Sequence, residues 1–108
     1  MNELFTVLGA ALASICGGDF EEATVHADLF DTHAKTEYSC KRRGGTIESV
    51  ESEVGDNFAV YNALKEIKEG MGNSWTRCVF TLRAGGKFTF ETELVDNPLE
   101  GDDPESAF

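Results

Sequence analysis

The chain has 108 residues, a length that one hydrophobic core usually serves, so we expect a single domain. Twenty acidic residues against nine basic ones give a formal net charge of −11 and a sequence pI near 4.4. A field of that sign disfavours direct binding of nucleic acid or of an anionic membrane, and it favours a basic partner. Phe, Leu, Ile and Val make up about a quarter of the chain, which is enough for a modest folded core.

Cysteine usage favours a reducing compartment. Cys16, Cys40 and Cys78 are odd in number, widely spaced and free of any C-x-x-C pair, a pattern that suggests neither a disulfide framework nor a zinc knuckle. We predict three reduced thiols that are buried as small hydrophobic groups. The apolar segment 4–16 follows no basic residue and is shorter than the roughly 20 residues that cross a bilayer, so we predict a cytoplasmic protein.

Two segments show the three-to-four-residue spacing of an amphipathic helix. Leucines recur at every fourth position over Leu4–Leu12, and we expect this first helix to follow an Asn2 N-cap and to pack on a sheet. Apolar side chains recur again over 58–71, after Asp56 or Asn57, either of which can cap the second helix. The chain between these helices has a different period.

Between the helices, apolar and polar residues alternate, which is typical of half-buried strands. Two such runs cover 23–30 and 34–40, and a turn at 42–45 with two glycines leads to a short third strand at 47–50. Three basic residues at 41–43 are predicted only to keep this turn soluble.

The C-terminal hairpin has the clearest pattern. Residues 77–83 and 87–94 alternate around the turn Ala84-Gly85-Gly86, which predicts one aromatic face in the core and one polar face outside. Trp75 precedes the hairpin and is predicted to anchor a helix to the sheet rather than to serve as a ligand platform.

Together these elements predict an α+β fold, with an antiparallel sheet of about four to five strands and two helices packed on one face. Residues 1–96 form one domain in this interpretation. The segment 97–108 is rich in acidic residues and contains both prolines, so we predict a flexible tail.

One cluster resembles a catalytic or metal site, and it contains His26, Asp28, Asp31 and His33. On an extended strand His26 and Asp28 share one face, whereas the other two fall on the opposite face or in a turn. No nucleophile motif, phosphate-binding loop or H-E-x-x-H pattern occurs, so we expect no catalytic residue, metal or cofactor. A small metal-dependent hydrolase that uses His26, Asp28 and His33 is kept as an alternative function.

Carboxylates are concentrated in two segments, with four between residues 48 and 56 and seven between residues 91 and 105. Glu91 and Glu93 project from one face of a predicted strand whose other face is aromatic. Carboxylates held on a rigid strand can complement a cationic surface and speed its encounter, although a solvated surface has the same pattern. The candidate partner-binding residues are Glu48, Glu51, Glu53, Asp56, Glu91, Glu93 and Asp96.

The hairpin also resembles a known family. Trp75, the run Phe80-Thr81-Leu82 and the run Gly86-Lys87-Phe88, followed by alternating aromatic and acidic residues, resemble the ending of the YezG-type bacterial immunity proteins. The order of an N-terminal helix, a strand pair and a helix before the tryptophan is similar over residues 4–96.

This resemblance implies a cytoplasmic antitoxin that neutralises a cognate toxin domain, delivered by neighbouring cells through secretion or contact-dependent growth inhibition. Such toxins are often nucleases with basic clefts, which an acidic inhibitor complements. We therefore predict a non-enzymatic immunity protein that binds a basic, nuclease-type toxin domain and binds neither nucleic acid nor membrane. An oligomerising module that uses the apolar first helix as its interface is a further alternative.

Overall fold

The computed structural model describes residues 2–17, 19–31 and 33–95. Within them the chain forms helix α1 (Asn2–Cys16), strands β1 (Glu22–Leu29), β2 (Ala34–Lys41) and β3 (Ile47–Val50), helix α2 (Val54–Gly70), and strands β4 (Arg77–Arg83) and β5 (Phe88–Glu93). Both predicted helices and all the predicted strands are present. The predicted tail at 97–108 lies outside the described residues.

The five strands form one antiparallel sheet in the order β3-β2-β1-β4-β5. β1 is the central strand, paired with β2 over its whole length and with β4 from Glu22 to Asp28. Because β1 buries every second residue, one face of the sheet lies in the core, and we call the other the open face. This arrangement confirms the predicted α+β fold, with both helices packed against the sheet.

The core lies between the sheet and the two helices. Leu8 and Leu12 of α1 and Val60 and Leu64 of α2 have no exposed surface, and they pack with the inward-facing residues of β1. The leucine stripe of α1 is thus buried inside the molecule, so its centre is not a surface through which the chain can oligomerise.

Trp75 anchors α2 to the hairpin, as predicted. Its side chain is 1% exposed, its indole nitrogen donates a hydrogen bond to Met71 Sδ at 3.3 Å, and its ring lies 5.7 Å from that of Phe90 in an edge-on contact. The outer strand of the hairpin is less buried than its aromatic pattern predicted, since Phe88 is 44% exposed. The reason is that β5 is the last strand of the sheet, and the ring of Phe5, 5.0 Å from that of Phe88, covers one side of it.

Cys16 and Cys40 form a disulfide that ties the last residue of α1 to β2, across a Cα–Cα distance of 5.8 Å. The prediction of three reduced thiols is therefore wrong for these two, because residues 24 apart in sequence meet only when the helix folds back over the sheet. Cys78 is free and buried, as predicted, and burial raises the pKa of its thiol to about 12. A thiol that stays protonated in this way is a poor nucleophile.

Arg42 forms a second link between α1 and the sheet. Its guanidinium donates hydrogen bonds to the carbonyl oxygens of Cys16, at 2.7 Å, and of Asp19, at 2.9 Å. These oxygens lie at and just beyond the C-terminal end of the helix, where a positive charge is favourable. Gly44 and Gly45 adopt φ values of 92° and 93° and form the turn that follows Arg42. Arg42 therefore has a structural role beyond the solubility of the turn.

Thiol counting tests the disulfide directly. In denaturant without reductant we expect one thiol to react, that of Cys78, and three after reduction. Because the disulfide restricts the unfolded chain, reduction should lower the free energy of unfolding by about 3 kcal/mol, measured by urea unfolding with and without a phosphine reductant. The Cys78→Ala variant, unfolded in parallel, separates this effect from any contribution of the free thiol. Three reactive thiols before reduction would contradict the pairing.

Candidate functional site

The predicted partner-binding carboxylates lie at two opposite edges of the sheet. The first group, which we call the β3 cluster, lies on β3, in the loop after it and in the first turn of α2, and consists of Glu48, Glu51, Glu53 and Asp56. The second, which we call the β5 pair, consists of Glu91 and Glu93. Three strands separate β3 from β5, so the two edges are about 19 Å apart and the groups do not form one patch. Asp96 lies outside the described residues.

Two members of the β3 cluster are engaged in contacts that hold the fold. Glu48 forms an ion pair with Arg42 at 3.2 Å, and Asp56 accepts a hydrogen bond from the Ser14 hydroxyl at 3.1 Å. The other two glutamates are exposed and form no ion pair with any described residue. Within the described residues only Glu48 is paired with a cation, because the Ser14 hydroxyl that contacts Asp56 carries no charge. The cluster therefore offers a partner three carboxylates without a cationic neighbour, of which Glu51 and Glu53 also lack a fold contact.

The start of α2 differs from the prediction. The helix begins at Val54, and Glu53 occupies the N-cap position without making a side-chain cap hydrogen bond. Asn57, a predicted N-cap, instead accepts hydrogen bonds at its Oδ1 from the hydroxyls of Thr36, at 2.8 Å, and Tyr38, at 2.5 Å. A buried phenol needs an acceptor, and this tertiary requirement overrides the local preference of Asn for the cap.

These side chains line a cleft of about 560 Å³, where β3 ends and the chain turns into α2. Tyr38 is only 6% exposed, and burial raises the pKa of its phenol, which keeps the hydroxyl protonated as a donor to Asn57. Glu37 and Glu51 also line the cleft. Its hydroxyl, amide and carboxylate oxygens are groups that a Lys or Arg side chain binds.

The β5 pair lies on the open face, where Glu91 is opposite Val79 and Glu93 is opposite Arg77 on β4. Arg77 donates two hydrogen bonds to Asp28, at 2.8 and 3.3 Å, and these bonds, with a smaller attraction from Glu93, raise the pKa of Arg77. Both glutamates are exposed, and neither forms an ion pair within the described part of the chain. The two residues lie on the same face of the strand, with their backbone positions about 7 Å apart.

The histidine cluster does not converge. His26 and Asp28 share the open face of β1, as the alternation predicted, but Asp28 is bound by Arg77. His33 lies in the turn after β1 and packs on the ring of Phe30, with 5.0 Å between ring centroids. Across the residues that the structure describes, no group of three or more His, Cys, Asp or Glu side chains could hold a metal ion. The ligand set of the hydrolase alternative is therefore not assembled.

Sequence reasoning missed three polar side chains that join the helices, strands and turns to one another, namely Arg42, Asn57 and Lys68. Lys68 of α2 donates a hydrogen bond to the carbonyl oxygen of Leu29 at 2.9 Å, at the end of β1. Arg42 and Lys68 bind backbone oxygens, which every residue carries, so no spacing of residue types indicates these contacts.

Comparison with known proteins does not assign the chain to a family. No family profile matches it, and no curated protein is significantly similar in sequence. The resemblance of the hairpin to the YezG-type proteins stays a prediction. No helix among the described residues is long and apolar enough to cross a membrane.

Replacing Asn57 tests the hydrogen bonds that shape the cleft. Asn57→Ala leaves the buried Tyr38 hydroxyl without its acceptor, so we expect the free energy of unfolding to fall by about 1–3 kcal/mol, measured by urea unfolding. Asn62→Ala on the same helix is the matched control, because Asn62 makes no hydrogen bond through its side chain to the described residues. Equal losses in the two variants would show that the Asn57 bonds are not specific contributors.

Proposed function

We propose that this protein is a non-enzymatic immunity protein that inhibits a basic toxin domain by tight binding. The observation that carries the proposal is the β5 pair: two exposed carboxylates, unpaired among the described residues, held side by side on an edge strand of a protein with net charge −11. This fixed negative charge complements the positive cleft of an enzyme that acts on nucleic acid.

Inhibition follows from occupancy. A nuclease binds phosphates with clustered Lys and Arg side chains, and an acidic protein seated on that cleft keeps the substrate out. The long-range field of the inhibitor speeds the encounter, which matters when a toxin must be neutralised soon after it arrives. Neither effect needs a catalytic group in the inhibitor.

Coexpression with the polypeptide encoded immediately upstream tests this function. We expect a one-to-one complex that weakens as salt is raised, together with restored growth of cells in which the upstream polypeptide alone is toxic. A toxic upstream polypeptide that forms no complex and stays toxic in the presence of this protein would overturn the proposal.

Charge reversal at each edge shows which one contacts the toxin. The double variants Glu91→Lys/Glu93→Lys and Glu51→Lys/Glu53→Lys change the net charge equally, as does the control Glu66→Lys/Glu69→Lys on the exposed side of α2. We expect the β5 variant to weaken toxin binding about tenfold or more beyond the control, and all three to keep the wild-type circular dichroism spectrum. Equal affinities of the three folded variants would remove both edges from the interface.

The proposed place of action is the cytoplasm, where a nuclease toxin meets its substrate. The Cys16–Cys40 disulfide is the observation against this placement, because disulfides are uncommon in cytosolic proteins. Alkylation of thiols during cell lysis in denaturant, which exposes the buried Cys16 and Cys40, followed by mass spectrometry, distinguishes a reducing from an oxidising compartment. Cytoplasmic residence predicts that Cys16 and Cys40 are alkylated, and an oxidising compartment predicts that they are protected.

A further inference from the structure

β5 presents an open row of backbone hydrogen-bonding groups. The amide of Arg83 donates to the carbonyl of Lys87 at 2.7 Å, which fixes the alternation of the β4–β5 pairing. The backbone amides and carbonyls of residues 87, 89, 91 and 93 therefore point towards β4. Those of Phe88, Phe90 and Thr92 point away from β4, towards the open edge of the sheet. No described strand lies beyond β5.

The last described residues after β5, 94 and 95, lead away from this edge. The amide of Val95 donates to the Thr76 hydroxyl at 2.8 Å, and that hydroxyl donates to the Val95 carbonyl, so the chain turns towards the start of β4. The other outer strand, β3, is only four residues long, and its Glu48 is neutralised by Arg42. β5 is thus the longer edge, and among the described residues it is the outer strand that itself carries carboxylates without an ion pair, since Glu51 and Glu53 lie in the loop after β3.

The two sides of β5 have opposite chemistry. Glu91 and Glu93 lie on the open face. On the helix side, Phe88 borders a cavity of about 390 Å³, which is also lined by Phe5 of α1 and Leu82 of β4. A strand added to this edge would meet carboxylates on one face and aromatic rings with unfilled apolar space on the other.

We propose that β5 binds an extended segment of the basic partner as an additional β-strand, and that this segment alternates Lys or Arg with apolar side chains. The inference rests on the proposed function and names its mode of binding. Main-chain hydrogen bonds to Phe88, Phe90 and Thr92 hold the added strand on β5. The carboxylates on one face of β5 and the aromatic rings on the other favour a strand whose basic and apolar residues alternate. Basic side chains of the added strand lie beside the β5 pair, and apolar ones lie beside Phe88 and its cavity.

Charge excludes the other occupants of this edge. A second copy of the chain would bring the β5 pair against the same two carboxylates, and like charges on facing strands are destabilising. Residues 96–108 carry five carboxylates, two prolines and no basic residue, so they complement β5 equally poorly. A basic partner is the occupant that the charges fit.

The probe is a synthetic peptide of about eight residues in which Lys and Val alternate, added to the full chain. Amide hydrogen exchange by NMR should show new protection at Phe88, Phe90 and Thr92 and little change at Thr89 and Glu91, whose amides already face β4. A peptide of the same composition with the lysines and valines in separate blocks is the matched control. We expect it to bind about tenfold more weakly and to protect none of the three outward amides.

Two variants test the backbone and the charges separately. Thr92→Pro removes an outward amide that makes no bond to β4, a position where an edge strand accepts proline, so the fold should persist while affinity for the alternating peptide falls about tenfold. Glu91→Gln/Glu93→Gln should lose a similar factor, whereas Glu66→Gln/Glu69→Gln should not. If the proline variant unfolds, the exchange experiment on the wild-type chain still tests whether the peptide adds to β5 as a strand.

The outcomes separate this inference from the proposed function. A toxin complex in which Phe88, Phe90 and Thr92 exchange as in the free protein overturns strand addition and leaves the immunity function standing. Equal binding of the alternating peptide and of the control peptide with separate lysine and valine blocks also overturns strand addition, because the binding then depends on charge alone. Protection of these amides in a dimer of the free protein overturns it in favour of self-pairing. Outward protection by the alternating peptide supports it, whatever the upstream polypeptide does.

Discussion

The two-sided pairing of β1 is the constraint on which the rest of the structure depends. β1 carries small and branched apolar residues at every second position, and these residues are buried, so its register decides which side chains of the neighbouring strands enter the core. Pairing of Val25 with Tyr38 on one side and Phe80 on the other sets the burial of both aromatic residues. A slip of one residue would expose them and bury charged groups instead, so the position of the β5 pair on the open face follows from β1.

In the central part of the open face the carboxylates are paired with opposite charges, so the unpaired negative charge lies at the edges. Arg77 pairs with Asp28, Arg83 pairs with Glu22 at 3.2 Å, and a further ion pair joins two residues of β2. Exposed pairs of this kind contribute little to stability, but they cancel the field locally. The uncompensated carboxylates lie further out, on β5 and after β3. The negative field of the open face is therefore stronger at the rims of the sheet than at its centre.

Local pattern predicted the elements well, and it failed where contacts are long-range. The period of two gave the strands, and the leucine spacing gave α1, because these signals reside in neighbouring residues. The Cys16–Cys40 pair could not be predicted this way, since nothing between the two cysteines indicates that the end of α1 lies over β2. The same holds for Asn57, whose hydrogen-bond donors lie on a strand about 20 residues earlier. The candidate site was predicted as a set of acidic residues, but its division between two edges depends on strand order, which periodicity does not contain.

An open edge strand is hazardous to a protein, because any extended chain can pair with it. Carboxylates beside such an edge repel a second copy of the same chain and other acidic proteins, which opposes such pairing. The same charges attract a basic segment, so one feature both protects the edge and selects what binds there. Phe88 extends this selection, because its half-exposed ring borders space that only an apolar side chain of suitable size fills. In the proposed mode of binding, charge on one face and shape on the other both favour an alternating partner strand, and a uniformly basic segment matches only the charge.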